Sequence, residues 1–242
     1  MVSRRGALTA AAGASGALMA TKSVLSDSPN QLSENLRTYL AWEIGVQESI
    51  DTLRMVERTM PALEPGQVAI RVEVTSINAR DHGLISNKFP FPRLRRPDNR
   101  IPLSEGAGTV IAVGDDVTKV KPGDRVTACH FSAWVDGSWD PEQSYIGDVG
   151  NNIDGWLTEV AILPDYSLVK LPDSVSAETA ACFVSSGVTA WHALYEVARV
   201  KPGDIVLVLG TGGVASFGVQ LAKASGATVV VTSSSDSKLE AM

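Results

Sequence analysis

A hexapeptide near the end of the 242-residue chain, Gly210-Thr211-Gly212-Gly213-Val214-Ala215, restricts the fold more than any other stretch. It fits G-x-G-x-x-A and sits between five consecutive apolar residues, Ile205-Val206-Leu207-Val208-Leu209, and a helix-forming run from Val214 to Ala224. An unbroken apolar run of that length predicts a strand buried on both faces, as parallel sheets require. Gly226 stops the helix, and Thr228-Val229-Val230-Val231-Thr232 predicts a second buried strand, so the segment reads as the strand–helix–strand unit of a doubly wound sheet. In such a turn Gly210 permits the bend, and Gly212 lets the backbone approach a pyrophosphate with no Cβ in the way. Ala215 is small enough for the helix to pack on the strand. Gly213 and Val214 open the helix, where unpaired N–H groups and the positive dipole end face the phosphates.

The end of the second strand selects the dinucleotide. An NAD site places Asp or Glu there to hold the ribose 2′-hydroxyl. Here the chain reads Thr232-Ser233-Ser234-Ser235-Asp236-Ser237-Lys238. Hydroxyls at Ser233, Ser234 and Ser235 and the Lys238 ammonium suit a 2′-phosphate, and no carboxylate stands first to repel it. NADP(H) is the expected cofactor, with Asp236 placed to cap the following helix.

Upstream the periodicity changes. Val68, Ile70, Val72 and Val74 alternate with polar residues after the turn Glu64-Pro65-Gly66-Gln67, which predicts a half-buried strand. Thr109 to Gly114 predicts another. Lys121-Pro122-Gly123-Asp124 launches Arg125-Val126-Thr127-Ala128, and the same tetrapeptide recurs at Lys201 to Asp204 ahead of Ile205. Short strands with Pro-Gly turns at this spacing imply a closed or nearly closed β structure. Between Ala177 and Val200 the pattern is helical, with Ala181, Val184, Val188, Trp191, Leu194 and Tyr195 able to share an inward face.

With these elements in order, the chain from about Leu36 resembles the N-terminal part of a medium-chain dehydrogenase/reductase, nearest the quinone oxidoreductase-like and alcohol dehydrogenase-like branch without zinc. The resemblance is carried by Leu53-Arg54-Met55-Val56-Glu57, Val72 to Asp81, Pro102 to Gly108, Val117 to Val126, Ser186-Gly187-Val188-Thr189-Ala190-Trp191 and the glycine loop. It implies an α/β chain with a β-rich N-terminal part. A targeting segment and linker (1–33) would precede a GroES-like substrate domain (34–175) and an incomplete Rossmann domain (176–242), with the active site in the cleft. It implies hydride transfer to or from a small carbonyl, enone or quinone. Asn78 would contact substrate or nicotinamide, Asp81 would orient, and Thr189 would lie near the nicotinamide. Arg80 would pair with Asp81 or Glu105. A homodimer is a common family state.

In zinc-dependent relatives the catalytic metal takes a Cys, a His followed by Glu, and a second Cys. The resemblance places the first on Asn78 and the second on Ser104, with Glu105 retained and Cys182 where the third could be. An amide, a hydroxyl and one thiolate make a poor zinc site. With only Cys129 and Cys182 in the chain, a four-cysteine structural zinc lobe is also excluded. No metal is expected. An oxygen acquiring charge must then be met by hydrogen-bond donors. His82, His130 and His192 read as ordinary polar or packed residues.

Composition excludes one class of partner: a net charge of −6 leaves no basic surplus for nucleic acid. Arg93, Arg95, Arg96 and Arg100 read as a solvated loop. The first 26 residues contain no acid, and Arg4-Arg5 precede an apolar run too short to span a bilayer. That layout fits a twin-arginine export signal. A plain Ala/Gly-rich extension on a cytoplasmic protein, or an organellar presequence, fits it as well. The expected sheet stops after two strands, which reads as a C-terminally truncated chain. The alternative function is a non-catalytic relative that binds a nucleotide or a partner. Loops Ser86 to Arg100 and Ser132 to Asn152 carry the substrate specificity; in the second, Trp134, Trp139 and Tyr145 could wall an apolar pocket or pack on the barrel.

Overall fold

The computed structural model describes residues 2–3, 38–88 and 97–242. The segment whose layout fits an export signal, apart from Val2 and Ser3, and Arg93, Arg95 and Arg96 lie outside the described residues. The chain forms two compact units, one ending at Ala181 and the other running from Cys182 to Met242.

The first unit is built on antiparallel strands. Strands β1 (Val2–Ser3), β4 (Gln67–Ser76), β5 (Glu105–Val113), β6 (Arg125–Ala128) and β8 (Leu168–Lys170) follow one another in that spatial order, and β7 (Val160–Pro164) also pairs with β4. Strands β2 (Thr38–Glu43) and β3 (Arg54–Thr59) form a separate ribbon, with Thr38 opposite Thr59. Its acid Glu43 meets Arg54 and Arg58.

The alternation in β4 predicts one wet face, yet Val68, Ala69 and Ile70 are all fully buried. Both faces are covered. Val68, Ile70 and Val72 pack with Val110, Val126 and Trp156, while Ala69 packs with Tyr39, Ile111 and Val160. The register shifts between Ala69 and Ile70, where Ile111 is the extra residue on β5, and β4 keeps its alternation there. Gly106 lies under the Trp156 ring, where a Cβ would come within 2.5 Å of ring atoms.

The repeated Lys-Pro-Gly-Asp makes the same turn twice. Gly123 and Gly203 take φ of +93° and +88°, and Asp124 and Asp204 accept hydrogen bonds from the N–H of Lys121 and Lys201 at 2.9 and 3.0 Å. Proline fixes the first corner and glycine supplies the positive φ of the second.

Three short helices belong to the first unit: α1 (Ala79–Ile85), α2 (Pro141–Ser144) and most of α3 (Ala177–Cys182). Ala177, Ala180 and Ala181 of α3 pack with Val74 and Ala107. The second unit continues the same helical run, π-helical at Phe183–Gly187, α-helical in α4 (Val188–Trp191) and π-helical again at His192–Val197. The inward face matches the expected one at buried Ala181 and Leu194 and differs at Val188 and Trp191, which are 48% and 43% exposed while Gly187 and Ala190 are buried. Each π segment adds a residue per turn and rotates the phase that a straight helix would keep.

Strand β9 (Ile205–Leu209), helix α5 (Gly213–Ala224), strand β10 (Thr228–Thr232) and helix α6 (Asp236–Glu240) complete the unit. β9 and β10 are parallel, with Ile205 opposite Thr228, as a βαβ unit requires. The expected burial on both faces is not met. Ile205, Leu207 and Leu209 are 76%, 60% and 74% exposed, because α5 covers one face and no described element covers the other. Among the described residues no helix is long and apolar enough to cross a membrane.

Candidate functional site

Two groups of sequence-predicted residues form two separate sites, one in each unit. In the first, α1 opens directly after β4, so its first turn carries Asn78, Arg80 and Asp81 to one end of the sheet. The carboxylate of Asp81 accepts from the Asn78 backbone N–H at 2.8 Å, and Asp81 N–H donates to the Asn78 carbonyl at 3.0 Å. This reciprocal cap fixes the entry of the helix. The Asn78 amide donates to Glu105 Oε2 at 2.5 Å, and Ser76 Oγ donates to the same oxygen at 2.6 Å. Glu105, 1% exposed, is thereby held at the start of β5.

Arg80 has a partner that the sequence reading did not name, Asp148. Its Nη1 and Nη2 reach Asp148 Oδ1 and Oδ2 at 3.0 and 2.9 Å, and Nη1 also donates to Ser104 Oγ at 3.0 Å. The planar fork fits a carboxylate in this bidentate way, whereas its neighbour Asp81 is already engaged in the cap. Ser104 Oγ in turn donates to Asp81 Oδ1 at 3.2 Å. Asp148 has no exposed surface and further accepts from Asn151 Nδ2 at 2.6 Å. His130 Nε2 faces Asp148 Oδ1 at 3.1 Å.

Burial sets the protonation here. Loss of water pushes the Asp81 carboxyl up to about 6, against the hydrogen bond from Asn78 and the charge of Arg80. Burial, with the Arg80 charge alongside, pulls the His130 imidazole down to about 3. His130 is therefore a neutral ring presenting Nε2–H to Asp148, and its ring stacks on Phe131 with centroids 4.4 Å apart. His82 and His192 are exposed.

Asp148, Asn151 and the role of His130 escape sequence reasoning. Asp148 sits in Gly147-Asp148-Val149-Gly150, which reads as an ordinary turn, and its partner is 68 residues away. Arg100, expected to be solvated, pairs with Asp154 at 2.8 Å. The aromatic residues Trp134, Trp139 and Tyr145 pack on one another and on Phe131 at centroid distances of 4.7 to 5.9 Å.

The donor set fits a metal poorly. Asn78 and Ser104 offer an amide and a hydroxyl, and the Ser104 oxygen already accepts from a guanidinium. Among the described residues no cluster of three or more His, Cys, Asp and Glu is arranged to hold one.

The second unit holds the glycine loop. Gly210 takes φ +85°, and Gly212 caps α5. No atom lies within 4 Å of where a Gly212 Cβ would stand, so that side of the loop is open. At Gly213 a Cβ would come 2.9 Å from Ser186 Oγ, which docks the loop against the helical run. The approach of α5 to β9 is made by buried Gly218, 3.9 Å from Val208 at the Cβ position, while Ala215 is half-buried. Val214 is exposed at the head of the helix. A cavity of about 430 Å³ opens here, lined by Thr211, Gly212, Ser216, Lys238, Ala241 and Met242. The structure thus brings Lys238 to the loop from the far end of β10. Ser233, Ser234 and Ser235 lie nearby in sequence but outside that lining. Ser235, rather than Asp236, takes the N-cap position of α6, and Asp236 occupies the first turn. Thr189 is exposed on α4 of the same unit. A phosphate-bearing ligand fits: open backbone at a helix N-terminus, a hydroxyl at Ser216 and an ammonium at Lys238.

Comparison with known proteins finds relatives among alcohol dehydrogenases and quinone oxidoreductases. The alcohol dehydrogenase GroES-like domain family matches residues 64–173. A zinc-type alcohol dehydrogenase-like protein of Schizosaccharomyces pombe is 40% identical over 193 residues, covering 78% of this chain and 55% of the relative. The structure of a Pseudomonas syringae pv. tomato DC3000 quinone oxidoreductase superimposes with a TM-score of 0.66 at 34% identity, covering 83% of this chain and 54% of that one. A cobalt- and zinc-bound thermostable alcohol dehydrogenase of Pyrobaculum aerophilum gives 0.73 at 28% identity, covering 84% and 62%. The chain therefore spans about half the length of the curated relative it matches.

Proposed function

We propose a function from one premise: this chain belongs to the medium-chain dehydrogenase/reductase superfamily. The proposed activity is an NADP(H)-dependent oxidoreductase acting on a small carbonyl, enone or quinone without catalytic zinc. One observation carries it, the open cavity at Thr211 and Gly212 that Lys238 also lines. When bound, the nicotinamide supplies the hydride chemistry, and the protein supplies binding and orientation.

In this reading the N-terminal turn of α5 holds the pyrophosphate, and Lys238 with Ser216 meets the phosphate-bearing ribose. Ser233, Ser234 and Ser235 add hydroxyls for the 2′-phosphate, and Thr189 contacts the cofactor near the nicotinamide. Asn78 provides the amide that contacts substrate or nicotinamide. Asp81 orients it, since its carboxylate holds the Asn78 backbone N–H at 2.8 Å. Both hydrogen bonds that Asp81 accepts favour its ionised form, so it acts here as an acceptor that fixes Asn78 and Ser104.

Titration of the purified chain with NADPH, followed by nicotinamide fluorescence with NADH as control, tests the cofactor. Saturable binding that prefers NADPH supports the reading, and a quinone and enone screen then tests turnover. No binding by a folded chain overturns it. A second reading, a relative that binds a nucleotide or partner without turnover, is favoured by the uncovered face of β9 at Ile205, Leu207 and Leu209. Binding of NADPH without reduction of any quinone or enone selects it.

A further inference from the structure

We propose that Arg80, clamped by Asp148, is the resident cation of the Asn78–Ser104 site and closes that site to a divalent metal. The guanidinium is fixed by three contacts to two side chains. Two of its N–H groups lie on the two oxygens of Asp148, and one of them also lies 3.0 Å from Ser104 Oγ. The Arg80 side chain is 14% exposed and Asp148 is fully buried, so bulk water does not reach the carboxylate. Asp148 is itself held by Asn151 at 2.6 Å and His130 at 3.1 Å, and His130 is held by its stack on Phe131. Swinging the guanidinium aside would strand a buried carboxylate.

A metal bound through residue 104 must stand at coordination distance, about 2.0–2.2 Å, from its donor atom. That places it against a charge of its own sign in a site poor in water. The repulsion cannot be relieved by losing a proton, because arginine stays protonated. The three carboxylates around it are engaged: Asp81 with Asn78 and Ser104, Glu105 with Ser76 and Asn78, and Asp148 with Arg80, Asn151 and His130. Restoring metal-binding side chains at 78 and 104 would therefore not restore a metal site while Arg80 stays.

The inference rests on the reading of a reaction without zinc, and its test uses neither nicotinamide nor substrate. The full chain carrying Asn78→Cys and Ser104→His is titrated with cobalt(II), read by the visible absorption of a cobalt thiolate. Four backgrounds are compared: Arg80 kept, Arg80→Lys, Arg80→Gln, and Arg80→Gln with Asp148→Asn. The last removes both charges and keeps the test alive if the stranded carboxylate unfolds the third; circular dichroism reports folding. With Arg80 kept, or replaced by lysine, cobalt should bind no tighter than to the unaltered chain. With glutamine it should bind about tenfold or more tighter, as removal of a like charge at a few ångströms requires. Equal cobalt affinity with arginine and with glutamine overturns the proposal. So does the absence of binding in every folded background. A failed NADPH titration leaves the cobalt result standing, and a failed cobalt result leaves the cofactor reading standing.

Discussion

Strand β4 of the first unit has hydrogen-bonded neighbours on both edges and buries Val68, Ala69 and Ile70 completely. Strand β9 of the second has one such neighbour and leaves Ile205, Leu207 and Leu209 more than half exposed. β9 is wholly apolar and β4 only half so, yet β9 is the more exposed, so sequence hydrophobicity alone does not decide burial. What differs is the number of elements packed against them. The polar residues divide the same way. The first unit takes Arg80, Asp81, Glu105, His130 and Asp148 inside and pairs them, whereas Lys238 and Ser216 of the second line an open cavity. One unit has a closed site whose polar groups are held by its own side chains; the other offers backbone and charge to a ligand.

The largest expected effect separates these two designs. Asp148→Ala strands the Arg80 charge and should cost about 3–5 kcal/mol in denaturant unfolding of the first unit. A loss near zero would mean that the network is ornamental and the contrast with the second unit false.

The next test makes one substitution in both places. Gly106→Ala forces a methyl to 2.5 Å from the buried Trp156 ring and should cost about 1–3 kcal/mol. Gly212→Ala meets no atom within 4 Å and has an ordinary φ of −82°. Its stability should change by about 0.5 kcal/mol or less, while NADPH affinity falls. Equal destabilisation by the two would erase the difference between a packed and an open glycine.

The pH dependence sharpens the account of the first unit. His130 falls to about 3 in the fold from 6.5, so the unfolded chain binds its proton first and stability is lost as pH drops through that window. One proton contributes a slope of up to about 1.4 kcal/mol per pH unit. Asp81, raised from 3.8 to about 6, acts with the opposite sign between those values, because there the folded state holds the extra proton. His130→Gln keeps a donor to Asp148 without the titration, and should flatten the acid limb of stability measured against pH. An unchanged limb would place the titration elsewhere.

The smallest effect is expected on the open face. Leu207→Ser should alter stability by about 0.5 kcal/mol or less, since its side chain is 60% exposed. It should lower self-association in sedimentation. A large destabilisation would show that this face is covered in solution.

Much of this was readable beforehand. The glycine loop, the two Lys-Pro-Gly-Asp turns and the parallel pair follow from local spacing, because each depends on residues within a few positions of one another. The phase of the helix from Ala177 to Val197 was not, since two π segments shift it without any proline or glycine signal at their starts. The partner of Arg80 was not either. Asp81 and Glu105 are nearer in sequence, but the cap occupies the one and Ser76 with Asn78 the other.

By itself the sequence determined the main element types, their order and the glycine turn between β9 and α5. Those are matters of backbone preference and side-chain chemistry, which are local. Only the tertiary structure decided which charges meet, which apolar faces are covered and that Arg80 stands beside Ser104. Those depend on contacts such as the 68-residue step from Arg80 to Asp148. Burial then multiplies their electrostatic weight, since the same pair in water would be worth little.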